Sequence, residues 1–361
     1  MPSSIRHEIG QLLFGSLSAI TVTPEIRSLA REFQLGGLVL FNRNIEAPMQ
    51  VAELSSDVQA LAPQLPLWIS IDQEGGRVAR LGEPFTKWPP MNVLGRCGDV
   101  QLASKFASAL AAELRAVGVT LNFSPVLDIY TNSKNSVIGD RALGTDASTV
   151  AKLGAAIICG FQDSGIAACG KHFPGHGDTV DDSHIKLPVI EHDLERLRRV
   201  EMLPFRAAVE AGVAFIMTAH LLIPSIDDKN ATTFSKRIVE GILRKELKFS
   251  GVILGDDLEM KAVSATQTIS DAAVQAVIAG CDGILICSGE IETQVAALEA
   301  LLYAVEDGRI SRSRIEDALK RQRNAKEKFL AEAPVRHPRD QGRIIGCDQH
   351  KRIADEMASY S

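Results

Sequence analysis

Residues 171–184, KHFPGHGDTVDDSH, crowd three of the chain's eight histidines, three aspartates and a lysine among three Gly/Pro breakers. Such a stretch cannot run on as a regular helix or strand, and its side chains admit two chemistries. In the first, His172, His176, Asp178, Asp182 and His184 supply ligands for zinc or a similar ion. No HExxH supports that reading, and Gly175 and Gly177 make a poor frame for stiff ligands. In the second, Asp182 and His184 form a dyad. The carboxylate holds one ring nitrogen, and the other is left to protonate a leaving oxygen and later to deprotonate water near neutral pH. The plain alternative is a polar loop whose histidines only satisfy backbone groups.

Other chemistry-bearing residues stand where apolar runs end. Leu67–Ile71 is followed by Asp72-Gln73-Glu74-Gly75-Gly76-Arg77, and Ile166–Gly170 by Lys171-His172. Phe215–Ala219 is followed by His220, and Val252–Gly255 by Asp256-Asp257. One charge after an apolar run is ordinary, but several imply a shared mouth. Carboxylates at Asp72 and Asp256, with Arg80, Arg141 and Lys171 as cations, suit a polyhydroxylated ligand. Carboxylates accept from hydroxyl pairs, and Arg and Lys donate to ring and hydroxyl oxygens.

The elements that must position these residues repeat along the chain. Strand-length apolar runs occur at Gln11–Gly15, Gly37–Phe41, Leu67–Asp72, Thr120–Asp128, Ile166–His172, Ala214–His220, Gly251–Asp256 and Gly283–Cys287. Their continuous apolarity marks strands buried on both faces, as in a parallel sheet. Helical patterns lie between them, at Val100–Val117, Thr149–Ser164, Asp193–Ala211, Ser235–Leu247 and Ser270–Ala279, with Asp193 and Ser270-Asp271 as helix starts. Eight such units point to a single-domain α/β fold, a (β/α)8 TIM-type barrel, over residues 1–333. No GxGxxG follows an early strand, which weakens a dinucleotide-binding alternative. Residues 334–361 read as a linker-like tail with a short helix, either packed on the barrel or leading elsewhere.

Composition narrows the function classes. A net charge of -6 with interspersed signs and only 5% aromatics argues against a nucleic-acid partner. No apolar run approaches the ~18–20 residues of a membrane helix, and the N-terminus lacks a signal-peptide pattern. A cytoplasmic protein without a membrane partner is expected. The six cysteines are scattered without a CxxC pair, and Cys159 and Cys169 are expected to be buried free thiols.

Four motifs in order, IDQEGGRVARL (71–81), VIGDRALG (137–144), KHFPGHGDTVDDSH (171–184) and GVILGDDLEMKAV (251–263), resemble glycoside hydrolase family 3. Within it they are similar to the bacterial β-N-acetylhexosaminidases of peptidoglycan recycling, over about residues 10–330. The resemblance implies a barrel that releases terminal β-linked N-acetylglucosamine with retention, through a covalent glycosyl-enzyme. It makes Asp256 the nucleophile and His184 the general acid/base, oriented by Asp182. Asp72, Arg80, Arg141, Lys171 and His172 become the sugar-binding set. It implies a saccharide as the partner, a monomer, and neither metal nor cofactor. Asp257 is the weaker nucleophile candidate, because consecutive strand residues point to opposite faces. Gly255 stands where the family commonly has Ser, which removes no catalytic group. Many members carry a second domain, and the C-terminal segment resembles the connection to it. Three other readings remain open: a phosphorylase that captures the glycosyl-enzyme with phosphate, a barrel metallohydrolase, and a non-catalytic sugar-binding barrel.

Overall fold

The computed structural model describes residues 5–62, 65–179, 183, 186–331 and 342–361. Eight parallel strands close into one barrel in sequence order: β1 Leu13–Ser16, β2 Gly37–Leu40, β3 Trp68–Ile71, β4 Leu121–Asn122, β5 Ala167–Phe173, β6 Phe215–Thr218, β7 Val252–Asp257 and β8 Gly283–Leu285. The (β/α)8 expectation holds, with β1 closing on β8 through Leu13 opposite Ile284.

Alternate strand residues fill the barrel interior: Phe14, Val39, Trp68, Leu121, Cys169, Phe215 and Leu254 are all buried there. Trp68 and Phe215 meet edge to face at 5.0 Å, and Phe329 of the helix Arg312–Leu330 packs on the same cluster. The other strand faces join the surrounding helices in a larger apolar cluster. Strands buried on both sides have no polar alternation to display, which is why the apolar runs were continuous.

Several boundaries depart from the pattern-based ones. The run Thr120–Asp128 contributes a strand only at Leu121–Asn122. Pro125 carries no N–H for a continued ladder, and Asp128 lies beyond it. Asp193–Ala211 is two helices, Leu194–Arg199 and Leu203–Glu210, the second carrying Pro204 in its first turn. Ser235–Leu247 holds a π-helix at Arg237–Glu246. The cap of Ile269–Ala279 is Thr268, whose hydroxyl accepts from Asp271 N at 3.1 Å, rather than Ser270-Asp271. Cys159 is exposed on the outer side of Ala147–Asp163, against expectation, whereas Cys169 is buried inside the barrel.

The 333/334 boundary lies outside the described residues. The terminal helix Asp348–Ala358 packs against Val100–Ala116 and buries Met357. Buried Glu113 accepts from Thr86 N and Oγ1 at 3.0 and 2.6 Å and from Gly346 N at 2.9 Å, and meets His350 Nδ1 at 2.8 Å. Among the described residues, no helix is long and apolar enough to cross a membrane.

Candidate active site

A cavity of about 330 Å³ opens at the C-terminal ends of the strands, where barrel enzymes carry their chemistry. Asp72, Arg80, Arg141, Lys171, His172 and Asp256 all line it, although they come from four different stretches of chain. Asp182 and His184 lie outside the described residues. Ser183 between them is buried and also lines the cavity.

One wall is an ion network. Lys171, 2% exposed, places Nζ 2.6 Å from Asp72 Oδ1 and 2.8 Å from Glu74 Oε1. Arg141 grips Glu74 with both arms, Nε to Oε2 and Nη2 to Oε1, each at 2.8 Å. Arg80 donates Nη2 to Asp72 Oδ2 at 3.4 Å, and its guanidinium lies over the Phe41 ring. Burial pushes the Glu74 carboxyl up, but Arg141 and Lys171 outweigh it and hold the group well below the usual carboxylate range. Burial likewise works against the Lys171 ammonium, and Asp72 and Glu74 raise it above its ordinary value. Arg141 therefore belongs first to Glu74, not to Asp72 or Asp256.

Asp256 and Asp257 end β7 with opposite electrostatics. Burial pushes the Asp256 carboxyl up, but His172, His220, the Asp257 backbone N–H at 2.8 Å and Lys171 bring it below its ordinary value. Asp257 is pushed up to about 7, chiefly by burial, with Glu259 and Asp256 adding repulsion. Environments that drive neighbouring carboxyls apart assign them different roles. Asp257 also lines the cavity, contrary to strict alternation, because the β7–β8 register shifts between Leu254 and Asp257. His220 is fully buried: its Nε2 meets the Asp257 carbonyl at 3.1 Å, Nδ1 meets Thr233 Oγ1 at 2.9 Å, and burial lowers its pKa.

The described part of the histidine stretch divides among separate partners. His172 Nδ1 lies 2.7 Å from Asp128 Oδ2. His176 meets Thr179 Oγ1 at 2.8 Å and Ser183 Oγ at 3.2 Å, so it organises its own loop. Asp178 meets His192 Nε2 at 2.5 Å and accepts from Thr131 at 2.7 Å. Among the described residues, no group of three or more His, Cys, Asp or Glu side chains is placed to hold a metal ion.

Glu74 and Asp128 were not singled out from sequence. Both obey the signal that marked Asp72 and Asp256, an acid just past an apolar run, but neither spacing nor type reveals the partner each one finds.

Residues 4–324 match the glycosyl hydrolase family 3 N-terminal domain. The chain belongs to glycosyl hydrolase family 3. It is a glycoside hydrolase, and the four segments whose sequences resemble that family all contribute residues to the cavity. A β-hexosaminidase from Methylobacillus flagellatus is 39% identical over 286 residues, covering 78% of this chain and 81% of the relative. The family 3 β-N-acetylglucosaminidase of Paenibacillus sp. str. FPU-7 superposes with a TM-score of 0.96 at 42% identity, over 99% of this chain and 69% of that one. NagZ from Neisseria gonorrhoeae, solved with N-trifluoroacetyl-D-glucosamine, superposes at 0.80 with 30% identity, over 97% of this chain and 98% of that one.

Proposed function

We propose that this family 3 member is a retaining exo-β-N-acetylglucosaminidase that hydrolyses terminal, non-reducing β-linked N-acetylglucosamine. The observation that carries the reading is the placement of Asp256. It is an ionised carboxylate in the wall of a sugar-sized cavity, opposite no competing full charge from Asp257, whose carboxyl stays largely protonated below pH 7. Asp256 attacks the anomeric carbon as the glycosidic C–O bond breaks, and the leaving oxygen takes a proton from His184. Water then attacks the same carbon, His184 recovers a proton, and the Asp256 ester is released with net retention. Asp182 orients His184. Asp72, Arg80, Arg141, Lys171 and His172 hold the sugar hydroxyls. The names of the relatives support N-acetylglucosamine as the glycone, and the motif resemblance supports muropeptides in cytoplasmic cell-wall recycling as the source.

Paired assays with aryl β-N-acetylglucosaminide and aryl β-glucoside test the reaction and the acetamido requirement together. Hydrolysis of the first but not the second is expected, and the reverse preference refutes the glycone. Asp256→Ala should abolish turnover, and a variant with near-wild-type rate sinks the nucleophile assignment. His184→Ala should hurt poor leaving groups most, and equal losses across leaving groups remove His184 from the acid role. Free sugar rather than the 1-phosphate should accumulate in phosphate buffer, since the opposite product would make the enzyme a phosphorylase.

A further inference from the structure

Asp128 is fully buried and accepts three contacts from the segment that carries the cavity's histidine. Its Oδ1 takes the backbone N–H of His172 at 3.2 Å and of His176 at 2.6 Å, and its Oδ2 faces His172 Nδ1 at 2.7 Å. Burial pushes this carboxyl up, yet His172, His176 and their N–H groups hold it below its ordinary value, so it is an acceptor only. A carboxylate at 2.7 Å requires the proton to sit on Nδ1 of the imidazole. The opposite nitrogen, Nε2, makes no hydrogen bond among the described residues, and His172 lines the cavity that holds Asp256.

We propose that Asp128 is a positioning residue for the reaction: it fixes the His172 ring with Nδ1–H buried and Nε2 presented to the sugar beside Asp256. The two backbone contacts set where the ring begins, and the third sets how it is turned and which nitrogen the substrate meets. A carboxylate at this place thus controls the cavity's hydrogen-bonding pattern without touching the ligand. The ring assignment stands on the contacts of Asp128 and on its ionised carboxylate, and its effect on turnover rests on the glycosidase reading above.

The ring assignment is tested on the wild-type enzyme by NMR of 15N-labelled histidine, with His172→Gln identifying the signal. Protonated Nδ1 is expected, and an Nε2–H tautomer with bare Nδ1 overturns the proposal whatever the substrate proves to be. Asp128→Asn keeps an acceptor for both backbone N–H groups but turns a donor toward Nδ1, so the proton should move to Nε2. Its kcat/KM on aryl β-N-acetylglucosaminide should fall about 10- to 100-fold, taking as a guide the loss seen when a carboxylate that orients a metal-bound imidazole is removed. In a His172→Gln background the same change should cost less than about 2-fold, because coupled residues are not additive. An equal loss in both backgrounds would mean that Asp128 merely supports the backbone. A wild-type enzyme inert toward the aryl substrate would overturn the glycosidase reading, and the NMR result would still decide the ring.

Discussion

Replacing Glu74 by Gln removes the charge on which Lys171 and Arg141 converge, while keeping the size of the side chain. Three charge-assisted contacts at 2.8 Å meet this carboxylate, which is 1% exposed. Gln can still accept at its carbonyl, but its amide turns a donor toward a cation, and Arg141 is left with the Val137 carbonyl at 3.1 Å. Breaking a buried pair in this way costs about 3–5 kcal/mol of stability. If the freed cations lose their aim on the sugar, kcat/KM falls about 10- to 100-fold, equivalent to about 1.4–2.7 kcal/mol of transition-state stabilisation. Urea unfolding and kinetics on aryl β-N-acetylglucosaminide measure the two effects. The pH dependence has a fixed sign. Glu74 is held below its ordinary 4.5, so its contribution is complete above that value and is lost as pH falls toward the folded-state pKa. The gap between wild type and Glu74→Gln should therefore be flat from pH 5 upward and narrow below 4.5. Unfolding energies within about 0.5 kcal/mol of each other would refute the network as a structural element, since that is the scatter of an ordinary surface change.

Two further outcomes follow from groups remote from the cavity. Lys326 is 2% exposed, is bonded to Gln11 Oε1 at 2.7 Å, and is pushed by burial from 10.5 to about 7. The unfolded chain binds its proton more tightly, so this residue's penalty is full below pH 7 and fades as pH rises toward 10.5. Lys326→Met should stabilise the protein at pH 7 by about 2–4 kcal/mol in urea unfolding, after the lost bond to Gln11 is counted. A gain that does not shrink by pH 10 would contradict that origin. His350→Ala strips a partner from buried Glu113 and should cost about 1–3 kcal/mol of stability with kcat/KM within about 2-fold. Unchanged stability would show that the terminal helix does not depend on this contact.

The eight buried strands were legible because continuous apolar runs have few other uses, and a closed parallel barrel then follows from their number and spacing. Strand and helix ends were less legible. Pro125 stands just past β4 and Pro204 in the first turn of Leu203–Glu210, yet the apolar pattern runs straight past both. Cys159 shows the same weakness: apolar neighbours in sequence lie on both sides of a helix, and only packing decides which side faces solvent.

For the site, the sequence alone determined which residue types are present and that several stand at strand ends. This was enough to bring Asp72, Arg80, Arg141, Lys171, His172 and Asp256 to one cavity once the barrel closed. Only tertiary structure decided the pairings. Arg141 belongs to Glu74, 67 positions away, and His172 belongs to Asp128, 44 positions away. Only tertiary structure separated Asp256 from Asp257, because the charge state of a carboxyl depends on what surrounds it in space. Two identical side chains adjacent in sequence differ through the register shift of β7, the neighbouring histidines and Glu259, none of which their own residue type encodes.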